Sequence, residues 1–232
     1  MKHIVVMTGA GISAESGIST FRDADGLWEN HDIMDVASPQ GWAKDKELVQ
    51  RFYNDRRRQL FSVLPNAAHL ALVALEEKYR VTIITQNVDD LHERAGSSTV
   101  IHLHGELRKA RSTVDPTLVY PWEKDILMTD TCEKGAMLRP HIVWFGEEVP
   151  LLEKAAHETA SASIVMVIGS SMQVYPAAGL VSYARATVPV YYIDPRPAVN
   201  FELAQRKNLR VLATSATEGV RKIVDELLNI SL

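Results

Sequence analysis

Residues 4–14 read IVVMTGAGISA, a short apolar run that leads directly into a glycine-rich turn. With Gly9, Gly11 and Ala14 the turn has the pattern G-x-G-x-x-A, one form of the dinucleotide-binding fingerprint that follows a strand. Glycine allows backbone N–H groups to approach a pyrophosphate without a Cβ in the way, and a helix beginning after Gly11 would add the positive end of its dipole. The pattern therefore predicts either a dinucleotide site or a tight strand-to-helix turn that binds no ligand.

Five further apolar, β-branched runs follow along the chain, separated by longer stretches with helical character. Continuous apolar runs of this length are typical of parallel strands that are covered on both faces. The alternation predicts an α/β fold, a Rossmann-like doubly wound parallel sheet with a small inserted lobe near 108–135. The runs cover 81–85, 100–103, 142–144, 164–168 and 190–193, and the predicted helices cover 45–60, 67–78, 151–162, 177–186 and a last segment that starts near 215.

The composition restricts the class of protein. With 25 basic and 29 acidic residues the formal net charge is −4, which gives no reason to expect nucleic acid as a partner. No apolar run reaches the ~18 residues of a membrane span, and the first residues lack the pattern of a secretory signal peptide. The single cysteine, Cys132, excludes an intrachain disulfide and an all-cysteine metal site. We therefore expect a cytoplasmic protein with neither nucleic-acid nor membrane partners.

A series of longer motifs in one order carries a family resemblance. The motifs are SGISTFR at 16–22, GLW at 26–28, TQNVD at 85–89, HLHG at 102–105, RPHIVWFGE at 139–147, GSS at 169–171 and VYP at 174–176. Together they closely resemble the sirtuins, the NAD-dependent protein-lysine deacylases, and in particular the bacterial members of the desuccinylase and demalonylase subclass. The resemblance implies a single sirtuin-type catalytic domain over 1–232, with a large NAD-binding lobe and small inserted lobes at roughly 22–65 and 106–140.

The resemblance also implies a reaction and its catalytic residues. Sirtuins cleave the bond between nicotinamide and ribose when an acyl-lysine carbonyl oxygen attacks the ribose carbon. A histidine then takes a proton from a ribose hydroxyl, and the products are free lysine, nicotinamide and O-acyl-ADP-ribose. His104 matches that histidine, whose ordinary pKa near neutrality suits a general base, and Asn87 is expected to act beside it. A histidine at a strand end that belongs to no such motif is more often structural than catalytic. We interpret His102 as a structural residue.

The residues expected to hold NAD follow several predicted strands, where α/β sheets place their ligands. Asn87 and Asp89 match positions that hold ribose and nicotinamide, although Asn-x-Asp by itself is more often a turn or a helix cap. Arg22 matches an arginine in the loop over the cofactor, and Asp194 falls where many relatives carry Asn on the adenosine ribose. The full set implied by the resemblance is Gly9, Ala10, Gly11, Ile12, Ala14, Phe21, Arg22, Trp28, Gln86, Asn87, Asp89, His104, Gly169, Ser170, Ser171, Asp194, Pro195, Arg196 and Ala213.

Three residues concern the acyl group. Tyr53 and Arg56 lie three apart on a predicted helix and so share a face, and the pair matches the acid-recognition motif of the subclass. Arg can grip the carboxylate of a succinyl or malonyl group and Tyr can add a hydroxyl donor, while Ala24 leaves room and neither side chain excludes an acetyl group. From spacing alone, a solvated basic helix face formed by residues 56–58 is favoured over a role in binding the acyl carboxylate. The substrate peptide is expected to contact Val143, Phe145, Gly146, Val174 and Tyr175.

One feature departs from the family. Most sirtuins hold a structural zinc with four cysteines, which should fall between Arg108 and Arg139, but only Cys132 is present and Ser112 occupies about the first position. We therefore expect no zinc, because one cysteine cannot form a tetrahedral cysteine site. A small satellite core is expected in its place, formed by Val114, Leu118, Tyr120, Trp122, Ile126 and Met128.

Two other functions are considered beside deacylation. Some zinc-poor or divergent sirtuin relatives resemble ADP-ribosyltransferases, and a non-catalytic module that senses NAD or ADP-ribose could use the same fold. His104 together with Tyr53 and Arg56 favours deacylation over ADP-ribosyl transfer. A complete set of catalytic and cofactor residues argues against a sensor, because a sensor needs no base.

Overall fold

Strands and helices alternate along the chain much as the sequence predicts. The computed structural model describes residues 1–19, 27–28 and 31–229, and within these ranges no helix combines the length and apolarity that crossing a bilayer requires. The strands are β1 (His3–Thr8), β2 (Leu27–Trp28), β3 (His31–Asp32), β4 (Arg80–Thr85), β5 (Val100–His102), β6 (Gly105–Ser112), β7 (Val119–Pro121), β8 (Leu138–Ile142), β9 (Ile164–Ile168), β10 (Val190–Ile193) and β11 (Leu209–Leu212). The α-helices are α1 (Ile33–Val36), α2 (Pro39–Lys44), α3 (Lys46–Leu60), α4 (Ala67–Ala74), α5 (Leu91–Ala95), α6 (Leu152–Ala160), α7 (Phe201–Ala204) and α8 (Ala216–Asn229).

Six of the strands form one parallel sheet in the order β11-β10-β9-β1-β4-β5. The chain adds β4 and β5 on one side of β1 and then crosses to add β9, β10 and β11 on the other side. This reversal leaves a crevice between the carboxyl ends of β1 and β9, the place where α/β sheets bind ligands. The predicted Rossmann-like, doubly wound fold is therefore confirmed.

Both faces of the sheet are covered, which explains the unbroken apolar runs. In β1, Ile4 and Val6 pack in a cluster with residues of α4 and α8, whereas Val5 and Met7 pack in a second cluster with residues of α6. Each fully buried aliphatic side chain contributes roughly 1.5–3 kcal/mol relative to an exposed one. The strand ends that border the crevice are thus held by the largest clusters of the molecule.

A second, antiparallel sheet in the order β7-β6-β8 forms the small lobe. Its core contains Ile126 and Cys132, whose sulfur lies 3.3 Å from the Ser112 hydroxyl. The expected core residues Val114 and Met128 are instead exposed, because Val114 lies in the bend that follows β6 and Met128 lies in a turn. In the described part of the chain, no three His, Cys, Asp or Glu side chains converge as a metal site would require. The other expected residues contribute to the core, namely Leu118, Tyr120 and Trp122 with Ile126.

Several elements differ from the predictions: the short helices α1, α2, α5 and α7 were not predicted, and three further elements also differ. The run at 142–144 is not a strand of the parallel sheet, because the chain there pairs only up to Ile142, as β8 of the small sheet. The edge strand β11 was not predicted, since Arg210 interrupts its apolar residues and edge strands need only one covered side. The helix expected at 177–186 is a 3-10 helix, Ala177–Tyr183.

Candidate active site

The glycine-rich turn after β1 packs directly against a second turn, at the end of β9. The N–H groups of Gly9 and Gly11 donate to the carbonyl oxygens of Ile168 (3.0 Å) and Gly169 (2.8 Å). A Cβ on Gly11 would lie 2.6 Å from the Gly169 Cα, and one on Gly169, whose φ is 60°, would lie 2.3 Å from the Ile12 nitrogen. These glycines therefore permit the close approach of two backbone turns beside the crevice.

The α-helix expected after Gly11 does not form, so the prediction of a helix dipole at this turn is wrong. Two single 3-10 turns, Ala10–Ile12 and Ala14–Ser16, follow β1, and Gly17 in the left-handed conformation (φ 95°) ends the second. Three-residue segments align few peptide dipoles, so they carry little of the macrodipole of a longer helix. The turn therefore contributes to the crevice mainly the backbone atoms that pack against Gly169.

A cavity of about 540 Å³ opens at the crevice and extends towards α3. This volume lies within the roughly 300–1,000 Å³ that is typical of small-molecule sites. The cavity brings together most of the predicted site residues, from segments that lie far apart in the sequence. The predicted residues on its wall are Gly9, Ala10, Gly11, Ala14, Trp28, Tyr53, Arg56, Gln86, Asn87, Asp89, His104, Val143, Phe145, Gly146, Gly169, Ser170, Ser171, Val174, Tyr175, Asp194, Pro195 and Arg196.

Two predicted residues within the described ranges, Ile12 and Ala213, are not on that wall. The side chain of Ile12 is wholly buried in the main core, so only its backbone is close to the crevice. Ala213 is exposed, one residue beyond β11, and does not line the cavity. Phe21, Arg22 and Ala24 lie outside the described residues.

The polar floor of the cavity includes Ser13, which the sequence analysis did not single out. The Asn87 amide donates to the carbonyl oxygen of Gly9 (3.1 Å) and to the Ser13 hydroxyl (3.2 Å), and that hydroxyl donates to the Asp89 carboxylate (3.0 Å). Burial raises the pKa of Asp89, although hydrogen bonds from the Leu91 N–H and from Ser13 oppose the rise. In the sequence, the only indication of the hydrogen bonds that join Ser13 to Asn87 and Asp89 is the position of this serine within the glycine-rich pattern. An amide and a carboxylate are thus held in fixed orientations at the end of β4.

His104 lies two residues beyond the end of β5 and lines the cavity. Its Nδ1 lies 3.1 Å from the carbonyl oxygen of Gln86, and we assign the Nδ1–H tautomer from this contact, because a carbonyl only accepts. Burial lowers the pKa of His104 below its ordinary value, and the Gln86 hydrogen bond opposes the shift only in part. The neutral ring therefore keeps a lone pair on Nε2, where it can accept a proton.

The other end of the cavity is formed by α3 together with Trp144. Tyr53 is wholly buried on α3, and its hydroxyl accepts a hydrogen bond from the Trp144 indole nitrogen at 3.2 Å. Burial raises the pKa of Tyr53, so the phenol stays neutral and keeps its proton for donation. The guanidinium of Arg139 lies 3.4 Å from the centre of the Trp144 ring and donates to Glu147. Trp144 is thus held at its indole nitrogen by Tyr53 and at its ring face by Arg139. The sequence did not predict these two contacts.

The three consecutive arginines of α3 point in three directions. Arg56 is half-buried on the cavity wall, with its guanidinium carbon 5.2 Å from the centre of the Phe52 ring. Arg57 is 1 % exposed and donates to the Leu107 carbonyl oxygen (2.7 Å), whereas Arg58 is exposed and pairs with acidic side chains. The interpretation of residues 56–58 as one solvated basic face is therefore wrong.

Comparisons with known proteins agree with this geometry. A family model described as the Sir2 family matches residues 9–176. The NAD-dependent protein deacylase of Helicobacter pylori (strain ATCC 700392 / 26695) is 55 % identical over 231 residues, which cover 100 % of each chain. A solved Sir2 homolog–NAD complex is 39 % identical with a TM-score of 0.86, covering 98 % of this chain and 90 % of that one. A mutant Sir2 homologue in complex with 2'-O-acetyl ADP-ribose is 38 % identical with a TM-score of 0.86, covering 100 % and 95 %. The chain therefore belongs to the Sir2 family, the sirtuins.

Proposed function

We propose that this Sir2-family enzyme is an NAD-dependent protein deacylase that removes succinyl, malonyl and acetyl groups from lysine side chains of proteins and transfers them to ADP-ribose. One observation carries the proposal: His104 and the Asn87–Asp89 floor line the same cavity as Tyr53 and Arg56. The name of the Helicobacter pylori relative and the NAD and 2'-O-acetyl ADP-ribose complexes of Sir2 homologues support the same reaction.

The crevice side of the cavity fits NAD. The two packed glycine turns present backbone without side chains, next to the buried amide and carboxylate of Asn87 and Asp89. Asp194 is buried at the end of β10, where its carboxylate accepts the Arg196 N–H (2.8 Å) and can also accept from a ribose hydroxyl. When bound, NAD supplies the nicotinamide that leaves and the ribose that receives the acyl group.

His104 is the proposed general base. The bond from its Nδ1–H to the Gln86 carbonyl fixes the ring, and its Nε2 can take a proton from a ribose hydroxyl. The Asn87 amide, itself held by Gly9 and Ser13, would orient the reacting sugar beside it. A pKa below the ordinary value keeps His104 neutral and ready to accept a proton at neutral pH.

Arg56 and Tyr53 are the proposed ligands of an acidic acyl group. A guanidinium on the wall can bind a terminal carboxylate with two parallel hydrogen bonds. The Tyr53 hydroxyl already accepts from Trp144, so its single proton is available to a second acceptor in the cavity. Ala24, outside the described residues, remains a sequence prediction for the third member of this site.

The substrate peptide is proposed to lie between the 143–146 and 174–175 segments at the cavity mouth, where Phe145 and Tyr175 are exposed. The N–H groups of Val143 and Phe145 already donate to the carbonyl oxygens of His104 and Ala37, both at 2.9 Å. Main-chain pairing would therefore use peptide N–H groups that donate to carbonyl oxygens of this segment. Recognition through main-chain atoms would suit many protein sequences.

Matched acetyl- and succinyl-lysine peptides, each with NAD, test the proposal. Nicotinamide release and freed lysine are followed together, with and without a chelator. Faster succinyl removal that a chelator leaves unchanged is expected, because a single cysteine cannot build the family's four-cysteine zinc site. Removal of acetyl groups alone would leave a plain deacetylase. Nicotinamide release without freed lysine would instead favour ADP-ribosyl transfer or NAD hydrolysis.

A further inference from the structure

Two histidines, two residues apart, hold successive carbonyl groups of the loop that carries Asn87. The Nδ1 atoms of His104 and His102 lie 3.1 Å from the carbonyl oxygens of Gln86 and Asn87, respectively. The two rings differ in their other surroundings. His104 lines the cavity, whereas the Nε2 of His102 lies 2.7 Å from the Glu93 carboxylate. The same residue type therefore meets two different electrostatic environments.

Hydrogen-bond chemistry decides the protonation of His102. A carbonyl oxygen and a carboxylate both only accept hydrogen bonds, so each ring nitrogen that faces one of them must carry a proton. His102 is only 8 % exposed, so water has little access to its ring nitrogens, whereas the Glu93 side chain is 42 % exposed. Burial alone would lower the pKa of His102, but the hydrogen bond and the negative charge of Glu93 outweigh burial and raise it. The two acceptors and the raised pKa therefore both favour the imidazolium form of His102.

We propose that Glu93 and His102 form a charged positioning pair that sets the orientation of Asn87 and Asp89 for the cofactor. The charged ring donates to the Asn87 carbonyl, and the Asn87 side chain in turn holds Gly9 and Ser13. The positive charge of His102 also favours the ionised form of Asp89. His102 contacts loop atoms and Glu93, so it acts through Asn87 and is a positioning residue.

Several other charged groups face this pair. Glu106 on β6 also favours the charged ring, whereas burial, with smaller contributions from the neighbouring His69 and His102 rings, lowers the pKa of His92 on α5. Lys109 lies near Glu93 and binds Glu106 at 2.6 Å. Because the pKa of His102 is raised, its charge is present below that pKa and is lost as the pH rises through it. The positioning effect is therefore lost on the alkaline side of the activity profile.

The kinetic test rests on the proposed deacylase activity and compares Glu93→Gln with Glu106→Gln. Glu93→Gln keeps the shape of the side chain and removes the charge that holds His102 protonated. We expect kcat/KM for NAD to fall by roughly tenfold at neutral pH, the loss of one charge-assisted hydrogen bond. The alkaline limb should move to lower pH while the KM for peptide stays unchanged. Glu106→Gln, which removes a nearby carboxylate without a bond to His102, should shift the limb much less.

A measurement without turnover separates this inference from the proposed function. Imidazole nitrogen chemical shifts of wild-type protein, assigned through a His102→Gln variant, report whether both nitrogens of His102 carry protons at pH 7. Two protonated nitrogens are expected, and a neutral His102 ring would overturn the inference whether or not the enzyme turns over. An unmoved alkaline limb in Glu93→Gln, with only a lower melting temperature, would equally reduce the pair to a structural contact. Wild-type protein that releases no nicotinamide would contradict the proposed function alone.

Discussion

The two ends of the cavity are built from different kinds of contact. The cofactor wall, formed by the turns after β1, β4 and β9, rests on backbone packing between strand ends of the main sheet. The acyl wall, formed by Tyr53, Arg56 and Trp144, rests on side chains of an inserted helix. The proposed common chemistry thus lies on the main sheet, while the proposed specificity lies on a helix outside that sheet, where substitutions leave the strand ends in place.

Side chain–backbone hydrogen bonds attach the acyl wall to the small lobe. The Asn54 side chain binds both the N–H (2.9 Å) and the carbonyl oxygen (3.1 Å) of Ile126, and Gln50 donates to the Leu138 carbonyl oxygen (2.9 Å). Each such bond contributes about 0.5–1.5 kcal/mol to stability. Helix α3 therefore links the acyl wall to a lobe whose sequence cannot supply four cysteines.

The largest expected effect comes from the cofactor wall and does not distinguish acyl groups. His104→Ala should lower kcat by about 10²–10⁴-fold for succinyl and acetyl peptides alike, because the proton acceptor is lost. NAD binding, measured by calorimetry, should change little. In the wild type, the lowered pKa of His104 predicts an acid limb of activity below the ordinary pKa of histidine. His157→Ala, at an exposed position on α6, is the control, and surviving turnover in His104→Ala would disprove the assigned base.

The second effect separates the two walls. Arg56→Met should lower kcat/KM for succinyl peptides by roughly ten- to hundredfold, since a charge-assisted pair with the acyl carboxylate is lost. Acetyl peptides should react nearly as before. Arg51→Met on the same helix is the matched control, because Arg51 is exposed and lies 3.6 Å from Glu47. Equal losses for both acyl groups would show that Arg56 serves folding or the cofactor.

The cofactor wall could be predicted further from the sequence than the acyl wall, for a physical reason. Its polar residues follow apolar runs, and the topology of a parallel sheet brings the carboxyl ends of those runs together. The contacts that orient Tyr53 and attach α3 join residues 91 and 72 positions apart, from Trp144 to Tyr53 and from Asn54 to Ile126. No local pattern encodes such pairs. The same limit hid the bond from Ser13 to Asp89, across 76 positions.

The third effect tests the attachment of the acyl wall. Asn54→Ala would leave the buried N–H and carbonyl of Ile126 unpaired and would remove the oxygen that accepts from the buried Arg57 guanidinium (2.6 Å), so the free energy of unfolding should fall by about 2–3 kcal/mol. Urea denaturation measures this change. Asp55→Ala, at the exposed neighbouring position, should cost less stability, since exposed ion pairs contribute little.

The same variant gives a kinetic test. If the acyl wall depends on this attachment, the preference for succinyl over acetyl peptides should fall in Asn54→Ala while the KM for NAD stays constant. A raised KM for NAD would contradict the separation of the two walls.

The smallest effect concerns the orientation of one hydroxyl. Trp144→Phe keeps an aromatic ring beneath Arg139 but removes the N–H that the Tyr53 hydroxyl accepts. We expect succinyl kcat/KM to fall by roughly two- to tenfold, the range of one neutral hydrogen bond. Because Trp144 is expected to act through Tyr53, a Tyr53→Phe variant should lose no further activity when Trp144→Phe is added. Additive losses would instead place the contribution of Trp144 in packing of the acyl wall, independent of the Tyr53 proton.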